Sequence, residues 1–247
     1  GAHPNLSSSL ERTMTVNSIT EKTVDLLGPS TVDGYLALNG CTNYGGRTFV
    51  SEPSSACSSE ATGQSAGMIG LVESWARELG VAPHPTLAGL TGRHAGDVLT
   101  ANEVMQLVRA TADDVDFATP NDVDPANDFG TPTGNPLVDT VRYPTRPGWD
   151  VVHGYGRINA YELLRAVEAE RIPPEAMIDG PLWFDLLPAS GTVPVTGSVA
   201  AARADSYDYR VEWAPGVQGP EHPGTDTWTV IGGEEGLTAP KEGTLAS

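Results

Sequence analysis

The chain has 247 residues, with 28 Gly and 20 Pro, and 14 Lys and Arg stand against 32 Asp and Glu. This composition argues against a helical bundle and favours a loop-rich α/β protein with one sizeable core or a core and a small second domain. The formal charge of −18 repels phosphate backbones, so we expect no nucleic-acid partner. No run of about 18 apolar residues is present, so we expect no membrane span.

The first half of the chain predicts one strand and two helices. Residues 13–19 are β-branched and apolar, which is typical of a short buried strand. Residues 62–79 repeat small and apolar side chains at helical spacing, and the first half of this stretch carries almost no charge, so we expect a helix buried on nearly every face. Residues 100–112 predict a second helix, whose start has the capping-box pair Thr100 and Glu103.

The second half of the chain changes character twice. Residues 113–150 are polar and too long for an ordinary connection, so we expect an insertion or a ligand-binding loop. Residues 154–170 predict a glycine-rich turn and an amphipathic helix, and a proline-containing linker follows. Four short β-like runs come after it: WFDLLP, TVPVTGSVAA, YDYRVEWAP and TWTVIGG. Because a sandwich normally needs about seven strands, we expect residues 173–247 to be a truncated β-sandwich-like domain.

Several stretches, in this order, carry a family resemblance. They are HPNLSSSLERTMTVNSIT, the Asn43-Tyr44-Gly45 segment of CTNYGG, SSEATGQSAGMIGLVES, LTANEVMQLVRATADDV and GYGRINAYELLRAV. They resemble, respectively, the Tyr-Pro-Ala segment with its following strand, the Ser-Asn-Tyr-Gly loop, the nucleophile motif Gly-Thr-Ser-x-Ala-x-Pro-x-x-Ala-Gly, the helix ending in Thr-Ala and the closing Gly-x-Gly-x-Val-Asn-Ala turn of subtilisin-like serine proteases (subtilases).

The resemblance implies that residues 1–172 are the C-terminal portion of a subtilisin-like parallel-sheet catalytic domain, which hydrolyses peptide bonds. In this family the triad Asp and His and the oxyanion Asn lie upstream of the nucleophile. We therefore expect the chain to be inactive alone, with the N-terminal half as its partner, in cis or as a separate chain, and a polypeptide as substrate. The alternative is a catalytically inactive subtilase-like scaffold that presents the β-domain for adhesion or assembly.

The nucleophile must be a hydroxyl at the start of a buried helix, where backbone N–H groups stabilise the oxyanion. Counting back eight positions from Gly70, as in the family, gives Thr62, which also predicts an N-cap. A second alignment gives Ser65, but it puts Glu73 inside a buried helix, which is costly without a partner. Ser59 is a third hydroxyl, on the approach to the helix.

The two cysteines, Cys41 and Cys57, lie in Gly/Ser/Asn-rich loop sequence, which favours a disulfide over two buried thiols. A disulfide would place the protein outside the cytoplasm, secreted or at the cell surface. The resemblance implies that Asn43, Tyr44 and Gly45 shape the loop beside the active site and that the bridge braces it.

Calcium is a candidate ligand of the acidic stretch, because close-spaced carboxylates are hard oxygen donors. The alternative is a solvated acidic loop. The carboxylates concerned are Asp113, Asp114, Asp116, Asp122, Asp124 and Asp128. The sequence has no His/Cys cluster for a transition metal, and the chemistry implied by the resemblance requires no cofactor. The five histidines lack the glycine-rich surroundings of a subtilase catalytic His, so we interpret all of them as surface or structural residues.

Overall fold

The computed structural model describes residues 13–20, 37–38, 42–115, 148–182, 185–214 and 228–247, without the side chains of residues 20, 37, 38, 57 and 93. The described residues form three α-helices and mixed parallel and antiparallel sheets, which confirms a mixed α/β class. None of the helices in these ranges offers the long apolar surface that crossing a bilayer requires.

The first sheet contains three strands in the order β2-β1-β3. Strand β1 (Val16–Thr20) pairs in parallel with β3 (Val50–Pro53) and antiparallel with the two-residue β2 (Ala37–Leu38). The strand predicted at residues 13–19 is therefore present, but it starts later than predicted, at Val16, and ends at Thr20. Helix α1, which follows β3, covers one face of this pair.

Helix α1 (Cys57–Glu78) begins five residues before the predicted start at residue 62. The polar residues before position 62 carry no hydrophobic period, but Glu60 satisfies the Ala56 N–H at the helix start with its own carboxylate, at 2.7 Å. The predicted glycine stop is confirmed: Gly80 has φ +72 and its N–H donates to Arg77 O at 3.0 Å.

Burial of α1 is one-sided, so the expectation of burial on nearly every face is wrong. Ala61, Ser65, Val72 and Ala76 are at most 2% exposed. The intervening residues 62–64, 66 and 67 are exposed. Small side chains carry little hydrophobic signal, so the sequence could not show which face of this helix lies against the sheet.

Helices α2 (Ala101–Thr111) and α3 (Ala160–Glu168) complete the main core. The predicted capping box is confirmed, since Thr100 Oγ1 accepts from Glu103 N–H at 3.0 Å and Glu103 Oε2 accepts from Thr100 N–H at 3.0 Å. Asn159 caps α3 by accepting from the N–H of residue 162. The core residues contributed by the sheet and the three helices include Val50, Val72, Ala76, Leu107, Val108, Leu163 and Val167.

The predicted glycine-rich turn lies along the edge of β3. Ser51 N–H donates to Gly156 O at 2.8 Å, and Ile158 N–H donates to Ser51 O at 2.9 Å. Gly156 has φ +113, and a Cβ at this position would lie 2.1 Å from Asp113 O. Only glycine allows such a close backbone approach in this conformation.

The remaining strands form two antiparallel sheets, β4-β5-β8 and β6-β7. The strands are β4 (Glu175–Gly180), β5 (Val195–Ala200), β6 (Tyr207–Trp213), β7 (Thr229–Leu237) and β8 (Lys241–Ala246). Val199, Leu245 and Ala246 of the first of these sheets share a small core with Val211 of the second. The β-sandwich assignment and the domain boundary at residue 172 stay predictions.

Three of the four predicted β-like runs coincide with β5, β6 and β7. The first is wrong over the residues described, because residues 185–188 form no strand. Asp185 folds back there, with its carboxylate accepting from Leu182 N–H at 2.7 Å. The sequence predicts no strand at β4 or β8, because EAMIDG and KEGTLA each contain only one β-branched residue and no aromatic residue.

Candidate functional site

The resemblance predicts a reactive hydroxyl at the start of a buried helix, and α1 is the helix concerned. Strand β3 ends at Pro53 and α1 begins at Cys57, so the helix follows the carboxyl end of a strand that belongs to a parallel pair. Ligand sites of α/β folds commonly lie at this end of the strands. Ser59 is in the first turn of α1 and is exposed. The N–H groups of such a turn have no partner within the helix.

Glu60 already holds a negative charge at this helix start. Its Oε2 accepts from the Ala56 N–H at 2.7 Å and from the hydroxyls of Ser54 and Ser55 at 3.0 and 3.1 Å, while Gln64 Nε2 donates to Oε1 at 3.2 Å. The Ala56 N–H and then the Ser54 hydroxyl lower the pKa of the Glu60 carboxyl below its usual range. The turn therefore contains an internal anion next to Ser59.

Thr62 lies in the second turn of α1, on the exposed side. Its hydroxyl donates to Ser58 O at 2.8 Å, and Ala56 occupies the N-cap position. The interpretation of Thr62 as a helix cap is therefore wrong, because the helix starts earlier than its apolar pattern. A catalytic role for Thr62 stays a prediction.

Ser65 faces the sheet and is 2% exposed, in the same buried layer as Glu52 on β3. Burial raises the pKa of the Glu52 carboxyl to about 7, and the Ser65 hydroxyl partly offsets this rise. Within the described residues, however, Ser65 Oγ and Glu52 Oε2 have no well-formed hydrogen bond, and Ser18 Oγ has none either. Ser18 lies opposite Glu52 in the β1–β3 pair. A substrate carbonyl has no access to Ser65 in this arrangement.

Glu73 is accommodated in α1, contrary to the objection raised against the Ser65 alignment. Its Oε1 accepts from Val98 N–H at 2.7 Å and its Oε2 accepts from Leu99 N–H at 3.2 Å. Arg77 lies one helical turn later, with its Nε 3.3 Å from Glu73 Oε1. Val98 and Leu99 belong to a loop distant in the sequence, so the residue pattern of α1 did not reveal these two donors.

The Asn43-Tyr44-Gly45 loop contacts residues near position 151. Gly45 N–H donates to Val151 O at 2.8 Å, and Tyr44 packs against the buried cluster that contains Ile19 and Val151. Ile19 points to the sheet face opposite the one covered by α1, because side chains alternate along a strand. The described contacts of the loop are therefore on that face, and its predicted role beside the active site stays a prediction.

The predicted disulfide lies outside the described residues, since neither Cys41 nor the side chain of Cys57 is described. The same holds for four members of the proposed calcium set: Asp116, Asp122, Asp124 and Asp128. The cysteine pairing and calcium binding therefore stay predictions.

The two described members of the acidic set have protein partners. Asp113 pairs with Arg157 at 2.9 Å and accepts from Asn159 Nδ2 at 2.9 Å. Asp114 Oδ2 accepts from Gly148 N–H at 2.7 Å. Over the described ranges, no group of three or more His, Cys, Asp and Glu side chains is arranged to hold a metal ion.

His153 makes a serine–histidine contact inside the protein. It is 1% exposed, its Nδ1 lies 3.2 Å from Ser51 Oγ, and the Ser51 hydroxyl donates to Asn17 Oδ1 at 2.5 Å. Burial lowers the pKa of His153 to about 3, so the ring is neutral at neutral pH. Ser51 is also fully buried, which makes this contact structural.

The other two described histidines lie on the loop between α1 and α2. His84 is 5% exposed, and His94 Nδ1 is 3.0 Å from Asp97 Oδ2. Their described partners are on that loop and on β4, and none of these partners belongs to the first turn of α1. His3 and His222 lie outside the described residues.

Comparison with known proteins leaves the family open. No family model matches the chain, and neither the curated proteins nor the solved structures gave a significant match.

Proposed function

We propose that the chain is a portion of a subtilisin-like serine endopeptidase and that Ser59 is its nucleophile. The observation that carries the proposal is the position of Ser59: an exposed hydroxyl in the first turn of a 22-residue helix that directly follows a strand of a parallel pair. This first turn provides the N–H groups and the positive end of the helix dipole that an oxyanion needs.

The subtilase motif fits Ser59 better than the alignment counted from Gly70. Counted from Ser59, the motif alanine two positions later is Ala61, and the Ala-Gly pair seven and eight positions later is Ala66 and Gly67. Gly63 replaces the motif proline. Because α1 contains several glycines, a single glycine could not set the alignment. The Ala-Gly pair is the signal that distinguishes Ser59.

The remaining groups come from the N-terminal half of the protease, in cis or as a separate chain. A histidine from that half takes the Ser59 proton as the oxygen attacks the substrate carbonyl carbon, and it then gives the proton to the leaving amine. Water completes the reaction by releasing the acyl group. The exposed face of α1 is a suitable surface for this half, because a Cβ on Gly63, Gly67 or Gly70 would meet nothing within 4 Å.

A catalytically inactive scaffold is the second candidate, and Glu60 favours it. Its carboxylate occupies the helix start and lies one residue from Ser59. A fixed negative charge there opposes the negative charge of an oxyanion. In this case the β-strands would serve adhesion or assembly, and α1 would be a structural helix. Under both proposals we expect the protein outside the cell or at its surface.

Fluorophosphonate labelling of the longer parent protein, followed by peptide mapping, tests the proposal. We expect an adduct on Ser59 that is lost in Ser59→Ala and retained in the matched control Ser58→Ala. An adduct on Thr62 or Ser65 would keep the peptidase proposal and reject Ser59. No adduct, in protein shown by circular dichroism to be folded, would reject peptidase activity and leave the scaffold.

A further inference from the structure

A cavity of about 620 Å³ lies between the start of α2 and the β4-β5-β8 sheet. This volume is typical of small-molecule sites. Most of its wall is apolar and includes Met105, Met177 and Val199. The polar groups that line it include His84, Thr100, Asn102, Glu175 and Glu242.

The Glu175 carboxylate is held in place at the cavity wall. The Thr100 hydroxyl donates to Oε1, and His84 Nε2 lies 3.5 Å from Oε2, at the outer limit of hydrogen bonding. Thr86 N–H donates to His84 Nδ1 at 3.2 Å, so Nδ1 is the accepting nitrogen and Nε2 carries a proton. The Thr100 hydroxyl therefore holds this carboxylate in place, and the buried His84 Nε2, which has no hydrogen-bond partner among the described residues, lies beside it.

Two further hydrogen-bond acceptors line the cavity. Asn102 Oδ1 is buried and accepts no hydrogen bond from any described residue. Glu242 adds a second carboxylate from the exposed end of β8. Tyr207 also lines the cavity. Its hydroxyl is already occupied, at 3.0 Å from Val199 O and 2.9 Å from Ala239 O, so its ring is the part that remains for a ligand. A buried acceptor without a donor indicates a ligand that donates a hydrogen bond.

The geometry points to a binding site for an aliphatic primary ammonium group, with the ammonium near Glu175, Glu242 and Asn102 and the alkyl chain against Met105 and Met177. An ammonium has three donors and no acceptor, which matches these partners. A metal ion fits less well, because no described group of three ligating side chains converges here. The chain charge of −18 also concentrates cations at its surface. This proposal does not rest on the proposed function.

Calorimetric titration of the 247-residue chain with n-pentylamine tests the site, with n-pentanol as the uncharged control ligand. Glu242→Gln removes one carboxylate from the exposed rim without changing the core. We expect it to weaken pentylamine binding about tenfold. Glu235→Gln is the matched control variant, because it removes the same charge from an exposed position outside the cavity. We expect it to leave the affinity unchanged.

Asn102→Leu removes the unpartnered buried acceptor and should weaken pentylamine binding while leaving n-pentanol unaffected. Binding of n-pentanol as tight as that of pentylamine would overturn the proposal, and so would equal effects of the Glu242 and Glu235 substitutions. N-acetyl-lysine amide and 1,5-diaminopentane then distinguish the source of the amine. Tighter binding of the first indicates a lysine side chain of a polypeptide, and tighter binding of the second indicates a free diamine.

Discussion

The guanidinium of Arg203 binds the carboxylate of Glu103 through two contacts, from Nε to Oε1 at 2.6 Å and from Nη2 to Oε2 at 3.1 Å. Its other donors reach Ala82 O at 2.7 Å and Val98 O at 2.9 Å. Glu103 is 2% exposed and also belongs to the capping box of α2. Arg203 follows β5, so this ion pair ties the β-rich part of the chain to the helical part.

Arg203→Met should therefore destabilise the protein by about 3–5 kcal/mol, because it leaves the buried Glu103 carboxylate without its cation. The matched control is Arg210→Met, since Arg210 is 70% exposed and pairs with Glu212 at 3.0 Å on the surface. We expect that variant to lose less than about 1 kcal/mol. Urea denaturation measures both, and equal losses would show that the Arg203 pair contributes no more than a surface pair.

The free energy of unfolding should depend on pH through Glu52. Its pKa rises from 4.5 to about 7 on folding, so the folded state favours the protonated carboxyl. The stability of the folded state is therefore highest, as far as Glu52 is concerned, below pH 4.5. It falls as the pH rises through about 7, by up to about 3 kcal/mol. Glu52→Gln imitates the protonated form and should remove this loss. Denaturation midpoints of both proteins across this range measure the effect.

His153 produces the opposite slope. Its pKa falls from 6.5 to about 3 on folding, so its contribution is complete above pH 6.5 and is lost as the pH falls toward 3. The two slopes oppose each other between pH 4.5 and 6.5 in the wild-type protein. We expect Glu52→Gln to reveal the His153 slope alone, as a stability that rises with pH. A Glu52→Gln profile parallel to the wild-type profile would contradict the Glu52 pKa shift.

Gly156→Ala should be strongly destabilising, by more than about 3 kcal/mol, because the new Cβ would overlap Asp113 O at 2.1 Å in a backbone with φ +113. Gly96→Ala is the control for backbone strain alone. Gly96 has φ +81, and a Cβ there meets nothing within 4 Å, so we expect a loss of about 1 kcal/mol. Thermal unfolding separates the two, and similar losses would mean that the turn moves away from Asp113.

Glu73→Ala should cost about 2–3 kcal/mol, because the N–H groups of Val98 and Leu99 lose the carboxylate that accepts from them. Glu78→Ala on the same helix is the matched control, since Glu78 is exposed. We expect that variant to change stability by less than about 0.5 kcal/mol. Hydrogen exchange at Val98 and Leu99 provides a local measurement, and unchanged protection there in Glu73→Ala would contradict the assignment.

The elements that the residue pattern predicted correctly depend on neighbours in the chain. The Thr100 capping box, the Gly80 stop and the glycine-rich turn before α3 each involve residues a few positions apart. The start of α1 was misplaced for the same reason: Glu60 caps it with a polar side chain that has no apolar period. The proposed nucleophile, Ser59, is not the residue that a count from Gly70 selects, because α1 contains several glycines and one of them does not fix the alignment.

By itself the sequence determined the mixed α/β class, the centres of the three helices, most strands of the β-rich part and the acidic charge, because these follow from composition and short-range pattern. Only the tertiary structure decided which face of α1 is buried, which N–H groups bind Glu73 and which cation pairs with Glu103. The physical reason is that each of these contacts joins groups far apart in the chain, and burial, on which the Glu52 pKa also depends, exists only when those groups have come together.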